Sequence, residues 1–130
     1  MNDKPKKIFI SDDDTDILSI LRLMLQTRGY AIYTSTFAYD LVDNKDIVPD
    51  LILLDIWMSG IDGRVIARQL KDDPVTRDIP IIFISANSRI KEIAEECGVE
   101  DFIAKPFEME ELLRKVKKVF DRTDKAIEMS

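Results

Sequence analysis

The sequence predicts a doubly wound α/β domain, in which one parallel five-stranded sheet is covered on both faces by five helices. Three observations predict it. Five short apolar runs alternate with segments of helical period along 130 residues, a length suited to one domain with a real core. Three of the runs, Ile8-Phe-Ile10, Leu51-Ile-Leu-Leu54 and Ile81-Ile-Phe-Ile84, are continuously apolar, as strands buried on both faces are. Turn residues mark the boundaries: Gly29 and Gly98 follow helical segments, and Pro49 and Pro80 precede strands.

In chain order, the first strand is expected at Lys7 to Ser11. A helix follows, with Ile17, Leu18, Leu21, Met24 and Leu25 at helical spacing and Arg22, Gln26 and Arg28 left to face water. Ala31 to Ser35 is the second strand. The segment from Phe37 to Ile47 carries the least regular helical pattern, short and rich in Asp and Asn. Leu51 to Asp55 is the third strand, and Val65, Ile66 and Leu70 mark the next helix. Ile81 to Ser85 is the fourth strand, before a helix carrying Ile90, Ile93, Ala94 and Cys97. Asp101 to Ala104 is the fifth. The last helix has the clearest stripe: Met109, Leu112, Leu113, Val116, Val119 and Phe120. Glu108, Glu110 and Glu111 open it and Lys117, Lys118 and Arg122 lie near its end, as a helix dipole favours. The whole chain, 1–130, reads as one domain with a core of about 6–120. From Asp121 the apolar period is lost and a frayed tail is expected.

Composition narrows the chemistry. Nineteen basic and 25 acidic residues give a net charge of -6, which argues against nucleic acid as a partner. The first apolar run is short and no stretch approaches the ~20 apolar residues of a membrane span; Met1-Asn-Asp-Lys-Pro-Lys-Lys7 does not resemble a signal peptide. The single cysteine, Cys97, suits a reducing cytoplasm and sits at a core-facing helical position, where packing rather than reactivity is its role. A soluble cytoplasmic protein is expected. Histidine is absent, which excludes Ser-His and Cys-His catalysis and histidine-bound metal. A cation here needs oxygen ligands, which points to magnesium, manganese or calcium.

In parallel α/β sheets ligands bind at the carboxyl ends of the strands, and the unusual polar residues fall there. The first strand ends in Asp12-Asp13-Asp14, the third in Asp55, the fourth in Ser85-Ala86, and the fifth runs into Lys105-Pro106. Singly, each has an ordinary explanation. Asp14 reads as a helix cap, Ser85 as a loop hydroxyl bonding its own backbone, and Asp55 as a turn residue. Together they do not. Adjacent first, third and fourth strands bring Asp12, Asp13 and Asp55 into one crevice. Two carboxylates ~4 Å apart repel by roughly 4 kcal/mol at an effective dielectric near 20. Three need compensating positive charge, which a bound cation and Lys105 can supply.

Four segments carry a family resemblance. Phe9-Ile-Ser-Asp-Asp-Asp-Thr-Asp-Ile17, Asp50-Leu-Ile-Leu-Leu-Asp-Ile-Trp-Met-Ser-Gly-Ile-Asp-Gly63, Ile79-Pro-Ile-Ile-Phe-Ile-Ser-Ala86 and Asp101-Phe-Ile-Ala-Lys-Pro-Phe107 resemble, in order and spacing, the motifs of bacterial two-component response-regulator receiver domains. The resemblance covers Lys6 to about Phe120. It implies a flavodoxin-like sheet of order 2-1-3-4-5 and makes the chain a single-domain, chemotaxis-regulator-like receiver. Asp55 would be the nucleophile that becomes an aspartyl phosphate. Asp13, Asp55 and the Trp57 carbonyl would ligate Mg2+, with Asp12 acting mainly through water and Mn2+ able to substitute. Lys105 would pair with the phosphoryl group, aimed by a cis bond to Pro106. Ser85 and the Ala86 N–H would bond its oxygens, and Phe102 would be the aromatic switch residue.

Partners follow from the same resemblance: a sensor histidine kinase or phosphotransfer protein as donor, and a downstream protein target as receiver of the signal. The chain would be a monomer or a phosphorylation-dependent dimer. It would catalyse only its own phosphorylation and dephosphorylation, and so is not expected to be an enzyme acting on a separate substrate. Because nothing resembling an output domain follows Phe120, its effect is expected to pass through a partner.

Some positions depart from the family pattern. Ser59 replaces a common proline, Ser85 stands where threonine is commoner, and Phe102 lacks a phenolic oxygen. Trp57 and Asn87 hold the variable positions flanking the phosphate, and bulky Trp57 is expected to impede hydrolytic water. Two rivals fail on spacing. A haloacid-dehalogenase motif begun at Asp12 needs Thr or Val where Asp16 stands. An EF-hand loop begun there needs Gly at Ile17 and Glu at Leu23. A receiver-like interaction module that works without phosphorylation is the remaining alternative, disfavoured because Asp12, Asp13, Asp55, Ser85 and Lys105 are all present.

Overall fold

A computed structural model of the chain describes residues 4–43, 46–58 and 60–129, with the side chains of 126–129 left aside. The expectation for Ser59, and the end of the Phe37–Ile47 segment at 44–45, lie outside the described residues. Strands β1 (Lys7–Ser11), β2 (Ala31–Ser35), β3 (Leu51–Asp55), β6 (Ile81–Ser85) and β7 (Asp101–Ala104) form one five-stranded parallel sheet. Its order, β2-β1-β3-β6-β7, is the expected 2-1-3-4-5 once a two-stranded antiparallel ribbon, β4 (Trp57–Met58) and β5 (Ile61–Asp62), is set aside.

Side-chain alternation divides the core into two layers. Ile8, Ile10, Leu51, Leu53, Ile82 and Ile84 face helices α1 (Thr15–Gln26) and α5 (Met109–Met129). Ile52, Leu54, Ile81 and Phe83 face the other way, onto α2 (Tyr39–Asp43), α3 (Gly63–Asp72) and α4 (Ile90–Cys97). Burying both faces is what made the central runs continuously apolar: every residue of β3 and β6 is buried.

Local chemistry sets the helix ends. Asp14 caps α1 by accepting from Asp16 N and Ile17 N at 3.0 and 3.2 Å, the ordinary role expected of it. Gly98 ends α4 in the left-handed region, φ 69°, where glycine carries no Cβ penalty. Cys97 is half-buried and burial pushes its thiol pKa up, so it packs rather than reacts.

Two expected boundaries differ. Helix α2 is one short stretch, Tyr39–Asp43, inside the broader expected segment. Helix α5 does not stop near Asp121 but continues to Met129. Past the apolar stripe, polar contacts support it: Thr123 Oγ1 donates to Val119 O at 2.9 Å, Lys117 pairs with Asp121 at 3.1 Å, and Lys6 reaches Asp124 at 3.0 Å.

Candidate functional site

The sheet order reverses beside β1, with β2 to one side and β3 to the other, so a crevice opens past the carboxyl ends of β1 and β3. Asp12 and Asp13 leave β1 there, and Asp55 ends β3. Each of the three carboxylates has an oxygen within 4.8 Å of the others. Asp12 is fully buried and Asp55 is 5% exposed, while Asp13 is open to solvent. Lys105, immediately after β7, inserts its ammonium between the two buried acids, 2.9 Å from Asp12 Oδ2 and 3.3 Å from Asp55 Oδ2. The cis peptide expected between Lys105 and Pro106 is present.

Backbone amides hold the remaining oxygens. Asp14 N donates to Asp12 Oδ1 at 3.0 Å, and Trp57 N donates to Asp55 Oδ1 at 3.2 Å. These bonds do not settle the charge. Burial, then the charge of Asp12, push the Asp55 pKa up to about 6, against the opposing pull of Lys105 and the Trp57 N–H. For Lys105, burial works to lower the pKa, but its bonds to Asp12 and the charge of Asp55 carry it upward. Among the described residues, the crevice gathers three carboxylates around the Lys105 ammonium, which pairs with two of them, and so carries a surplus of negative charge in a partly buried place. An all-oxygen set with that surplus fits a hard divalent cation such as Mg2+, which is held by one or two carboxylates, waters and phosphate oxygens.

Ser85 ends β6, 3% exposed, and the backbone N–H of Lys105 donates to its carbonyl at 2.8 Å. Its hydroxyl accepts from Asn87 N at 3.0 Å, the local role foreseen for a lone serine. Ala86 follows on the exposed loop. Phe102 lies half-buried in β7 against the layer containing α4. The structure therefore brings Asp12, Asp13, Asp55 and Lys105 together, with Trp57 bonded to Asp55 and Ser85 on the neighbouring strand end.

Three contributors went unforeseen. Gly63 opens α3 with its N–H 2.5 Å from Ile56 O; a Cβ there would lie 2.7 Å from Asp55 O and 2.8 Å from Ile56 Cα. Only glycine lets α3 press on the backbone carrying Asp55. Arg64 lies over the Trp57 ring, 5.4 Å from its centroid. Lys115 of α5 donates to Phe102 O at 2.5 Å, sits 4.5 Å from the Phe102 centroid and pairs with Asp101 at 3.4 Å. The Asp62-Gly63 pair before a helical pattern could have flagged the first. No local pattern announces the other two, which join separate elements.

Comparison with known proteins agrees with this geometry. The family model described as the response regulator receiver domain matches residues 8–117. The phosphate regulon transcriptional regulatory protein PhoB of Pseudomonas aeruginosa is 39% identical over 126 residues, which are 91% of this chain and 53% of that protein. The chain thus spans about half the length of the curated relatives it matches. Among solved structures, a CheY-like receiver domain protein from Methanospirillum hungatei JF-1 has a TM-score of 0.82 at 25% identity, covering 94% of this chain and 98% of that one. The receiver domain of the sensor histidine kinase PA1611 from Pseudomonas aeruginosa PAO1, solved with a magnesium ion coordinated in its active site cleft, has a TM-score of 0.79 at 26% identity and covers 88% and 96%. A crevice of clustered carboxylates bridged by lysine at the switch point of a 2-1-3-4-5 sheet, together with a family match over most of the sequence, means that this chain belongs to the response-regulator receiver family.

Proposed function

We propose that this chain accepts a phosphoryl group on Asp55 in a Mg2+-dependent reaction and signals through the surface that changes as a result. The observation that carries the reading is the buried Asp55 carboxylate beside Asp12 and Asp13, with Lys105 as its partner. The transferred phosphoryl is metaphosphate-like, so catalysis is chiefly positioning and neutralisation of charge on its oxygens.

Asp13, Asp55 and the Trp57 carbonyl would hold the ion, with Asp12 through water; Mn2+ is an expected substitute. When bound, the ion supplies positive charge against the phosphoryl oxygens. An Asp55 oxygen attacks phosphorus and the bond from phosphorus to the donor breaks. With a phosphohistidine donor the released imidazole takes a proton from solvent. Lys105 would then turn its charge toward the new dianion, and the Ser85 hydroxyl and Ala86 N–H would donate to it. Such rearrangement biases a pre-existing equilibrium around α4, β7 and α5.

The chain catalyses its own phosphorylation and dephosphorylation and turns over no separate substrate. A sensor histidine kinase or phosphotransfer protein is the donor class, and a protein target receives the signal from a monomer or a phosphorylation-dependent dimer. A cytoplasmic site of action is part of the same proposal, as is the absence of direct nucleic-acid contact, given the net charge of -6. Incubation with Mg2+ and a small acyl phosphate, followed by intact mass, is expected to give one phosphoryl adduct that Asp55→Asn lacks. No adduct on the wild type overturns the proposal in favour of a receiver-like module that works without phosphorylation.

A further inference from the structure

The β4–β5 ribbon carries the chain's one tryptophan, Trp57, whose ring is half exposed and whose backbone N–H donates to Asp55 Oδ1. Across the ribbon Trp57 pairs with Asp62. Asp62 caps α3 by accepting from Arg64 N at 2.9 Å, and it grips the Arg64 side chain as a fork. Arg64 Nε lies 3.0 Å from both carboxylate oxygens and Nη2 lies 2.8 Å from Oδ2. The guanidinium gripped in this way lies over the indole.

Each part constrains the next. A two-residue strand gives a half-exposed indole little core to pack against, so its rotamer needs an outside hold. A surface arginine samples many rotamers, but a fork to carboxylate fixes its plane. A fixed guanidinium then attracts the negative face of the indole. The bonds to Arg64 hold the Asp62 carboxyl below its ordinary pKa, so the grip is present at neutral pH. Gly63, between the two gripping residues, donates its N–H to Ile56 O, and a Cβ there would collide with Asp55 O, which ties this corner to the acceptor.

We propose that Arg64 is a positioning residue: braced by Asp62, it fixes the indole of Trp57, whose backbone bonds Asp55, and so slows the access of water to the phosphoryl group formed there. The inference rests on the phosphoacceptor reading above. In the step it restrains, a water oxygen attacks phosphorus and the bond from phosphorus to the Asp55 oxygen breaks. The Asp55 carboxylate and inorganic phosphate result; of the two protons of water, one stays on the new phosphate hydroxyl and the other passes to a phosphate oxygen or to solvent.

The test follows phosphoryl loss by intact mass after Mg2+ and acyl phosphate loading and removal of the donor, in wild type, Arg64→Ala, Arg64→Lys, Trp57→Ala and the Arg64→Ala/Trp57→Ala pair. Arg64→Ala is expected to shorten the lifetime about two- to fivefold, the size of an exposed cation–π contact. Arg64→Lys, which keeps the charge without the fork, should fall between. In the Trp57→Ala background Arg64→Ala should add nothing, which a merely structural role would not produce. Acrylamide quenching of the indole should rise in Arg64→Ala, and circular dichroism confirms that each variant is folded. An unchanged or longer lifetime in Arg64→Ala overturns the inference, as does equal shortening with and without Trp57. Absence of any adduct on the wild type overturns the phosphoacceptor reading and this inference with it.

Discussion

Asp55 and Asp62 stand at the two feet of one small ribbon, and their carboxyls move in opposite directions. Asp55, 5% exposed, has its pKa pushed up to about 6 by burial and by Asp12. Asp62, half-buried, is lowered chiefly by its side-chain bonds to Arg64. Asp62 faces one cation in a fork that satisfies it. Asp55 shares one lysine with Asp12 and lies close to Asp13 as well. A balanced pair near the surface costs little, whereas a buried excess of one charge is costly and calls for a compensating cation. The contrast sets a satisfied carboxylate against an unbalanced one, within a few residues of one loop.

The largest break in that contrast comes from Lys105→Met. Removing the ammonium leaves Asp12 and Asp55 buried without their shared partner, and urea unfolding at neutral pH is expected to show a loss of about 3 kcal/mol. Saturating Mg2+ should recover part of the loss, since an ion that binds only the folded state stabilises it.

A smaller effect separates the two carboxyls by pH. Asp55 has a folded pKa near 6 against an ordinary 3.8, so the folded state takes up its proton first. The stability this contributes is complete below the unfolded value and is lost as pH rises through about 6. Without divalent ions, wild type is therefore expected to gain about 1 kcal/mol relative to Asp55→Asn between pH 7 and pH 5. Asp62 has the reverse sign. Its contribution is present above the unfolded carboxylate value and is lost as pH falls through its lowered folded value. Asp62→Asn should thus leave the pH 5–7 slope unchanged and flatten the curve only in acid. Identical slopes for wild type and Asp55→Asn in urea titrations would remove the electrostatic distinction.

Much of this was legible beforehand, for reasons the structure makes plain. The five parallel strands fall where the apolar runs are, most sharply at β3 and β6, where residues buried on both faces leave no polar alternation to blur the ends. Asp12, Asp13, Asp55 and Lys105 were recognisable as a set because the switch-point rule places strand ends, and strand ends placed them. The β4–β5 ribbon was not, since two-residue strands have no periodicity to read. Nor was Arg64 over Trp57, a contact between ribbon and helix that no local pattern announces. The length of α5 past Asp121 escaped for a similar reason: beyond the apolar stripe Lys6 pairs with Asp124 and Thr123 bonds Val119 O, contacts that hydrophobic patterning does not see.

The central claim is that the excess of carboxylates at Asp12, Asp13 and Asp55 holds a divalent cation. Titration of Mg2+ into wild type and Asp13→Asn, followed by the emission of Trp57, tests it without any phosphodonor. One saturable transition per chain in the wild type, weakened severely in Asp13→Asn, is the expected result. A wild-type emission that does not respond to Mg2+, confirmed by the absence of heat in a calorimetric titration, or equal affinity in the two proteins, would contradict it.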